Sequence, residues 1–147
     1  MASENISDQN TKSFSILLPT DGSPSALRAA RWINHHATPD VTVTLLQVIV
    51  VSVETAITKG LSDARLQSQK ILAETQSELT RCSAVQTESI VGIPAEKIVE
   101  YAKDHPVDVI VMGRRGHSAL GNLIGSVSFS VLQRAPVPVT FVEPGED

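Results

Sequence analysis

The chain has 147 residues, of which 41% are apolar and 19% are charged, and its formal net charge at pH 7 is −4. This length matches one compact domain, because domains commonly contain about 100–150 residues. The net negative charge argues against charge-driven binding to nucleic acid or to an anionic membrane. The one cysteine, Cys82, excludes an intramolecular disulfide framework and a cysteine-cluster metal site, and it is typical of a reducing compartment.

The amino terminus has no features of a targeting segment. Residues 1–13 are polar and acidic, and they have neither the cationic start nor the apolar stretch of a signal peptide. No apolar run approaches the ~18 residues that are needed to span a bilayer. We therefore expect a flexible tail over residues 1–13, a single domain over residues 14–147, no membrane span and a cytoplasmic location.

From Phe14 onward the pattern alternates between β-type runs and helical periodicity. The apolar run Phe14–Pro19 stops at the turn signal Thr20-Asp21-Gly22, which predicts a first strand. Ser23 and Pro24 have the pattern of an N-cap followed by proline at the first helical position, so a first helix is expected there. Residues 41–51 are rich in β-branched side chains and predict a long, buried second strand.

The second half of the chain continues the alternation. After a linker at residues 52–60, a second helix is predicted over residues 61–81, with a core-facing stripe of Leu61, Ala64, Ile71, Leu72 and Leu79. Residues 85–91 predict the third strand, which residues 92–94 break. Ala95, Ile98, Val99 and Ala102 then define the third helix, and residues 107–112 predict the fourth strand. A loop over residues 113–125 leads to a helix from Ser126 to about Arg134. The fifth strand, residues 137–142, contains Pro138, which favours a sheet edge.

Five strands and four helices in strict alternation predict a doubly wound α/β fold. We expect a five-stranded parallel sheet in the order 3-2-1-4-5 with helices on both faces. Ligands of such sheets bind beyond the carboxyl ends of the strands, at the point where the strand order reverses. Here that point lies between strands one and four, at Asp21 and Gly113. Asp21 has two interpretations: a carboxylate that accepts hydrogen bonds from ribose hydroxyls or holds a metal, or a turn-forming and helix-capping residue.

The loop after the fourth strand contains Gly113 and Gly116, then eight residues, and then Gly125 and Ser126. Glycines let a loop approach a ligand closely, and a helix that begins at Ser126 offers unpaired N–H groups and the positive end of its dipole. The pattern indicates a phosphate cradle; the alternative is a glycine-rich turn followed by an ordinary serine N-cap. Neither a P-loop lysine nor a dinucleotide-binding Gly-x-Gly-x-x-Gly is present.

The charged and nucleophilic side chains of the chain each have a non-functional interpretation beside the functional one. Arg114 and Arg115 would pair with phosphates or form a solvated pair. His117 would shuttle protons, bind phosphate or lie exposed without a function. The remaining histidines have no metal-site spacing, and Cys82 has no nearby histidine in the sequence to activate it. We therefore assign no catalytic residue.

Several segments together resemble the universal stress protein family. They occur in the family's order between residues 16 and 142: Ile16-Leu17-Leu18-Pro19-Thr20-Asp21-Gly22-Ser23, Leu45-Leu46-Gln47-Val48, Gly92-Ile93-Pro94-Ala95 with Ile98, Asp108-Val109-Ile110-Val111-Met112-Gly113, Gly125-Ser126-Val127 and Ala135-Pro136-Val137-Pro138-Val139. The resemblance implies the adenine nucleotide alpha hydrolase-like fold. ATP-binding members carry Gly-x-x-Gly, nine residues and Gly-Ser/Thr; this chain keeps the three glycines and the serine, with eight residues between them.

The resemblance implies an ATP-binding member and assigns its contacts residue by residue. The ribose and nucleoside would meet Pro19, Thr20, Asp21, Met112 and Gly113, the adenine edge would meet the backbone of Val48, and the phosphates would meet Gly116, Gly125, Ser126 and Val127. Mg²⁺ or Mn²⁺ would accompany the triphosphate, although no metal ligand is assigned.

The implied function is a nucleotide-dependent regulatory switch in a stress response, with at most slow ATP hydrolysis. A homodimer formed through the last strand, from Val137 to Val142, and an unidentified protein partner would belong to that function. The alternative is a dimerising member that binds no nucleotide, fills the crevice with its own side chains and acts through protein–protein contacts. An adenosine-binding synthetase is a third interpretation, but one domain leaves little room for a second substrate.

Overall fold

The computed structural model describes residues 13–58, 60–114 and 124–143 of the chain. Apart from Ser13, the expected amino-terminal tail lies outside them. The elements in chain order are β1 (Phe14–Pro19), α1 (Pro24–His36), β2 (Val41–Ile49), α2 (Val53–Thr58), α3 (Gly60–Gln76), β3 (Ala84–Val91), α4 (Pro94–Asp104), β4 (Val109–Gly113), α5 (Ser126–Arg134) and β5 (Val139–Val142).

The five strands form one parallel sheet in the order β3-β2-β1-β4-β5, which confirms the predicted topology. β1 lies in the middle, with Leu17 opposite Thr44 of β2 and opposite Ile110 of β4. β1 and β2 are consecutive in sequence, whereas two further helical crossovers separate β2 from β4, the other neighbour of β1. The strand order therefore reverses between β1 and β4, and the carboxyl ends of these two strands lie side by side.

Apolar layers cover both faces of the sheet, as the alternation predicts. Because successive strand side chains point to opposite faces, Leu18 packs into the layer beneath α1 and α3, whereas Leu17 packs into the layer beneath α4 and α5. Both leucines are fully buried. Ile33 of α1 and Ile98 of α4 are among the helical residues that complete the two layers.

The second predicted helix is wrong in its extent. Part of the expected linker forms the short helix α2, and the following helix α3 starts at Gly60 and ends at Gln76 rather than near residue 81. The carboxyl-terminal end of α3 has a local cause. The Ser77 hydroxyl donates to the Glu74 carbonyl at 2.6 Å, and backbone hydrogen bonds between residues three positions apart tighten the last turn. The expected apolar stripe is buried at Leu72 and Leu79, whereas Leu61 is 43% exposed.

Candidate functional site

A cavity of about 330 Å³ opens at the carboxyl edge of the sheet, where β1 and β4 lie side by side. Its walls are mainly apolar and come from β2, α4 and β4, with Val48, Ile98 and Met112 as examples. The turn after β1 and the first residues of α5 contribute the polar part. The complete described lining is Pro19, Thr20, Asp21, Ala26, Leu46, Gln47, Val48, Val50, Pro94, Ile98, Met112, Gly113, Gly125, Ser126, Val127 and Ser128.

The turn after β1 is held by its own polar side chains. The Thr20 amide donates to the Leu46 carbonyl at 2.9 Å, which continues the β1–β2 ladder beyond the strand. Asp21 Oδ1 accepts a 2.9 Å hydrogen bond from the Ser23 amide, and Ser23 Oγ caps α1 by accepting from the Ala26 amide at 3.2 Å. Asp21 therefore forms the turn and lines the cavity at once, so its two interpretations are compatible.

The start of α5 forms a second polar wall. Gly125 is the N-cap of this helix and provides no side-chain cap hydrogen bond, while its own amide donates to the Arg114 carbonyl at 3.0 Å. Ser126 is consequently the first helical residue, and the alternative of an ordinary serine N-cap is wrong. The first amides of an α-helix have no intrahelical acceptor, and they carry the positive end of the helix dipole. That end of α5 borders the cavity.

Two contacts fix α5 and α1 against the end of β4. The buried Ser128 hydroxyl donates to the Gly113 carbonyl at 3.0 Å and so ties the first turn of α5 to the strand. A Cβ at Gly113 would lie 2.7 Å from the carbonyl carbon and 2.8 Å from the carbonyl oxygen of Ser25 in α1. This glycine therefore permits a close approach of β4 to the first turn of α1.

Nine of the ten residues that the resemblance assigns to the nucleotide line this one cavity, and Gly116 lies outside the described residues. Arg115 and His117 lie outside them too. Arg114 forms a 2.9 Å ion pair with Glu143, so its guanidinium already has a carboxylate partner. Asp21 is the only ionisable side chain among the lining residues that the structure describes.

The sequence motifs missed several lining residues. Gln47 and Val50 lie on either side of Val48 near the carboxyl end of β2. Because ligands of such sheets bind beyond the carboxyl ends of the strands, that position alone would have indicated that they line the cavity. The buried Gln47 amide donates to the Val48 carbonyl at 3.1 Å, and its Oε1 has no hydrogen-bond partner among the described residues. Ser128 carries no local signal, because its role depends on the packing of α5 against β4.

Other reactive groups do not join the cavity. Burial raises the pKa of the Cys82 thiol, and the nearby charge of Arg81 opposes this effect only in part. The raised pKa lowers the fraction of thiolate at neutral pH. In residues 13–58, 60–114 and 124–143, no three histidine, cysteine or acidic side chains are grouped to hold a metal ion. Within the same ranges, every helix is too short or too polar to cross a membrane.

Comparisons with known proteins give a consistent assignment. The model of the universal stress protein family matches residues 14–143. The universal stress protein MJ0531 of Methanocaldococcus jannaschii is 34% identical over 138 residues, which cover 87% of this chain and 81% of that protein. The solved structure of MJ0577, from the same organism, has a TM-score of 0.79 at 30% identity and covers 92% of this chain and 99% of its own.

A universal stress protein solved in complex with cAMP shares the fold as well. Its TM-score is 0.72 at 24% identity, and the match covers 91% of this chain and 99% of that chain. Sequence motifs, strand order and family match all point the same way: this chain belongs to the universal stress protein family.

Proposed function

We propose that this chain binds an adenine nucleotide, with ATP as the expected ligand, in the cavity between β1 and β4. Nucleotide occupancy would make it a regulatory switch in a stress response, with at most slow hydrolysis. The observation that carries this proposal is the convergence of a ribose-accepting carboxylate, an apolar slot and an open helix start in one cavity. The complex of a related fold with cAMP is in keeping with such a ligand, although that likeness is one of fold.

Each part of an adenine nucleotide has a chemical counterpart in the lining. The base would lie in the apolar slot beside Met112 and Ile98, with its edge at the backbone of Val48. The ribose hydroxyls would donate to Asp21. The phosphates would meet the amides of Gly125, Ser126 and Val127, because a helix start binds anions through unpaired N–H groups and its dipole.

A divalent cation fits this lining in one particular way. Mg²⁺ keeps several waters and is commonly held by substrate phosphates with one or two carboxylates. The described lining offers one carboxylate, Asp21. We therefore expect Mg²⁺ or Mn²⁺ to arrive with the nucleotide and to be held chiefly by its phosphates.

The alternative without a nucleotide requires a crevice that is filled by side chains. The described residues instead leave an open cavity of about 330 Å³ whose helix start has no side-chain cap. This favours the nucleotide-binding proposal. A cytoplasmic homodimer that pairs through residues 137–142, with a separate protein partner as the reader of nucleotide occupancy, completes the proposed function.

Calorimetric titration of the purified, desalted chain with ATP and Mg²⁺ tests the proposal, after denaturation and chromatography have excluded a co-purified nucleotide. We expect saturable binding, and we expect Asp21→Asn to weaken it about tenfold or more, since a hydrogen bond to a charged group contributes about 1.5–3 kcal/mol. Parallel titrations with AMP and cAMP rank the ligands.

Asp63→Asn is the matched control, because Asp63 is an exposed carboxylate on α3 that does not line the cavity. It should bind ATP as the wild-type chain does. An absence of binding by every adenine nucleotide, with none released on denaturation, would refute the nucleotide proposal. Wild-type affinity in Asp21→Asn would remove Asp21 from the site.

A further inference from the structure

The helix α3 reaches the cavity through a buried pair of hydroxyl groups. Thr75 of α3 is fully buried, and its Oγ1 lies 2.8 Å from Oγ1 of Thr20, which lines the cavity and is 5% exposed. Thr75 itself lines no part of the cavity and belongs to none of the family segments in the sequence. Its fully buried hydroxyl therefore needs an explanation.

Counting the donors and acceptors of the two hydroxyl groups shows which of them donates the hydrogen bond between them. The Thr75 hydroxyl donates its one proton to the Ile71 carbonyl at 2.9 Å, so towards Thr20 it acts as the acceptor. Thr20 must then be the donor, and its remaining acceptor capacity receives the Gly22 amide at 3.2 Å. One continuous chain thus runs from the Gly22 N–H through Thr20 and Thr75 to the Ile71 carbonyl, and such chains polarise in one direction.

The helix α3 also packs against the turn that contains Asp21, through a contact between Ile71 and Gly22. Gly22 has φ +77, a left-handed conformation that favours glycine, and a Cβ there would lie 3.3 Å from Cγ1 of Ile71. The hydrogen-bond chain and this contact act on adjacent atoms of one turn. Both originate from one turn of α3, residues 71–75.

We propose that Thr75 is a positioning residue for the nucleotide site. By accepting the Thr20 proton it orients Thr20 Oγ1 towards the Gly22 amide, and it so holds Asp21 in place for the ribose. The inference rests on the proposed function, and it extends the site to a helix that contributes no residue to the described cavity lining. It also means that the Thr20 hydroxyl serves the turn rather than the nucleoside.

Thr75→Val tests this role, because it removes the hydroxyl and keeps the branched shape. We expect ATP affinity to fall about three- to tenfold, the effect of one hydrogen bond, and amide exchange at Gly22 in the free protein to accelerate selectively. Thr75→Ser should restore both. In an Asp21→Asn background Thr75→Val should cause no further loss, since the two residues then act through one group.

Ser68→Ala is the matched control, since Ser68 is a buried hydroxyl on the same helix that pairs with Ser89 at 2.5 Å and is not part of the chain of hydrogen bonds. It should leave ATP affinity and Gly22 exchange unchanged. If Thr75→Val does not fold, Thr20→Val breaks the same link from the other side and should show the same two effects.

Three results would overturn the inference: full wild-type affinity in folded Thr75→Val, an equal loss in the wild-type and Asp21→Asn backgrounds, or no selective change at Gly22. A wild-type chain that binds no nucleotide would instead remove the proposed function and the ligand-positioning role together. Exchange at Gly22 would in that case still report whether Thr75 orders the turn.

Discussion

At Gly113 the end of β4 packs tightly against Ser25 in the first turn of α1. The nearest atom to a hypothetical Cβ at this point is Ser25 Oγ, and the carbonyl carbon and oxygen of Ser25 follow at 2.7 and 2.8 Å, so rotation of the serine side chain alone does not relieve the contact. The strand and the helix must separate to admit even a methyl group. Because Gly113 and the first turn of α1 both border the cavity, such a separation changes the shape of the site as well as the packing.

Gly113→Ala is therefore expected to lower the free energy of unfolding by about 1–3 kcal/mol, the usual cost of overpacking. Urea denaturation measures this loss. Ser25→Gly in the same background removes the close Oγ but should not restore full stability, because the carbonyl atoms of residue 25 remain. An unfolding free energy like that of the wild-type chain would show that α1 and β4 accommodate the methyl group without strain.

The predictable part of the site consists of residues in short motifs at strand ends. Asp21 and Gly125 are found in this way, because a turn signal after an apolar run and a glycine before a helix are local patterns. The pairing of Arg114 with Glu143, the Ser128–Gly113 bond and the Thr20–Thr75 bond join residues that are between 15 and 55 positions apart. No local pattern encodes such partners, which arise only when helices pack on the sheet.

Among the elements, α3 is buried over its carboxyl-terminal half alone. Its buried side chains are Ser68, Leu72 and Thr75, and Leu79 follows just beyond its end. The amino-terminal half carries the exposed Leu61 and Leu66, at 43% and 59% exposure. The carboxyl-terminal half of α3, which contacts the β1–α1 turn, is therefore also the half that packs into the core.

Truncation of the two ends of α3 should give unequal losses of stability. Leu72→Ala removes a buried side chain and is expected to cost about 2–5 kcal/mol of unfolding free energy. Leu61→Ala, the matched control on the same helix, should cost less than about 1 kcal/mol because its side chain already contacts water. Thermal and urea denaturation of the two variants check this; equal losses would mean that the first turns of α3 are part of the core.

The order of the strands and of the longer helices was predictable, whereas the short helix α2 and the bounds of α3 were not, for physical reasons. Alternating apolar runs and helical stripes fix the sequence of strands and helices because each element must bury one face. Val53 and Ile57 of α2 are 79% and 77% exposed, so the two large apolar side chains of this six-residue helix give a periodicity argument no buried face to detect. The end of α3 depends on the hydrogen bonds of Ser77, which leave the apolar spacing unbroken as far as Leu79.

At the scale of the whole molecule, β5 is an edge strand, and no other strand among the described residues pairs with its outer side. The Ile110 amide of β4 donates to the Pro138 carbonyl, and neighbouring residues of a strand direct their backbone groups to opposite sides. Thr140 therefore faces β4, whereas Val139 and Phe141 present their N–H and C=O groups at the open edge. This edge is the surface through which the proposed homodimer would pair, and pairing would also protect it from uncontrolled association.

Proline substitutions at two adjacent positions separate dimerisation from folding. Val139→Pro removes an outward N–H and should shift the chain towards monomer in sedimentation velocity, with little change in unfolding free energy. Thr140→Pro removes an inward N–H and should destabilise the protomer by about 1–3 kcal/mol, because it leaves a buried acceptor unpaired. A monomeric wild-type chain, or a dimer that Val139→Pro leaves intact, would contradict pairing through β5.

The central position of β1 has a consequence for the order in which the protein is made. β1 pairs on one side with β2, which comes soon after it in the chain, and on the other with β4, which begins only at Val109. While the chain is being synthesised from its amino terminus, the residues of β1, β2 and β3 are all present before those of β4. The innermost strand of the finished protein is thus an unpaired edge in the nascent chain, and Leu17 and Leu18 remain uncovered on that side until the second half emerges.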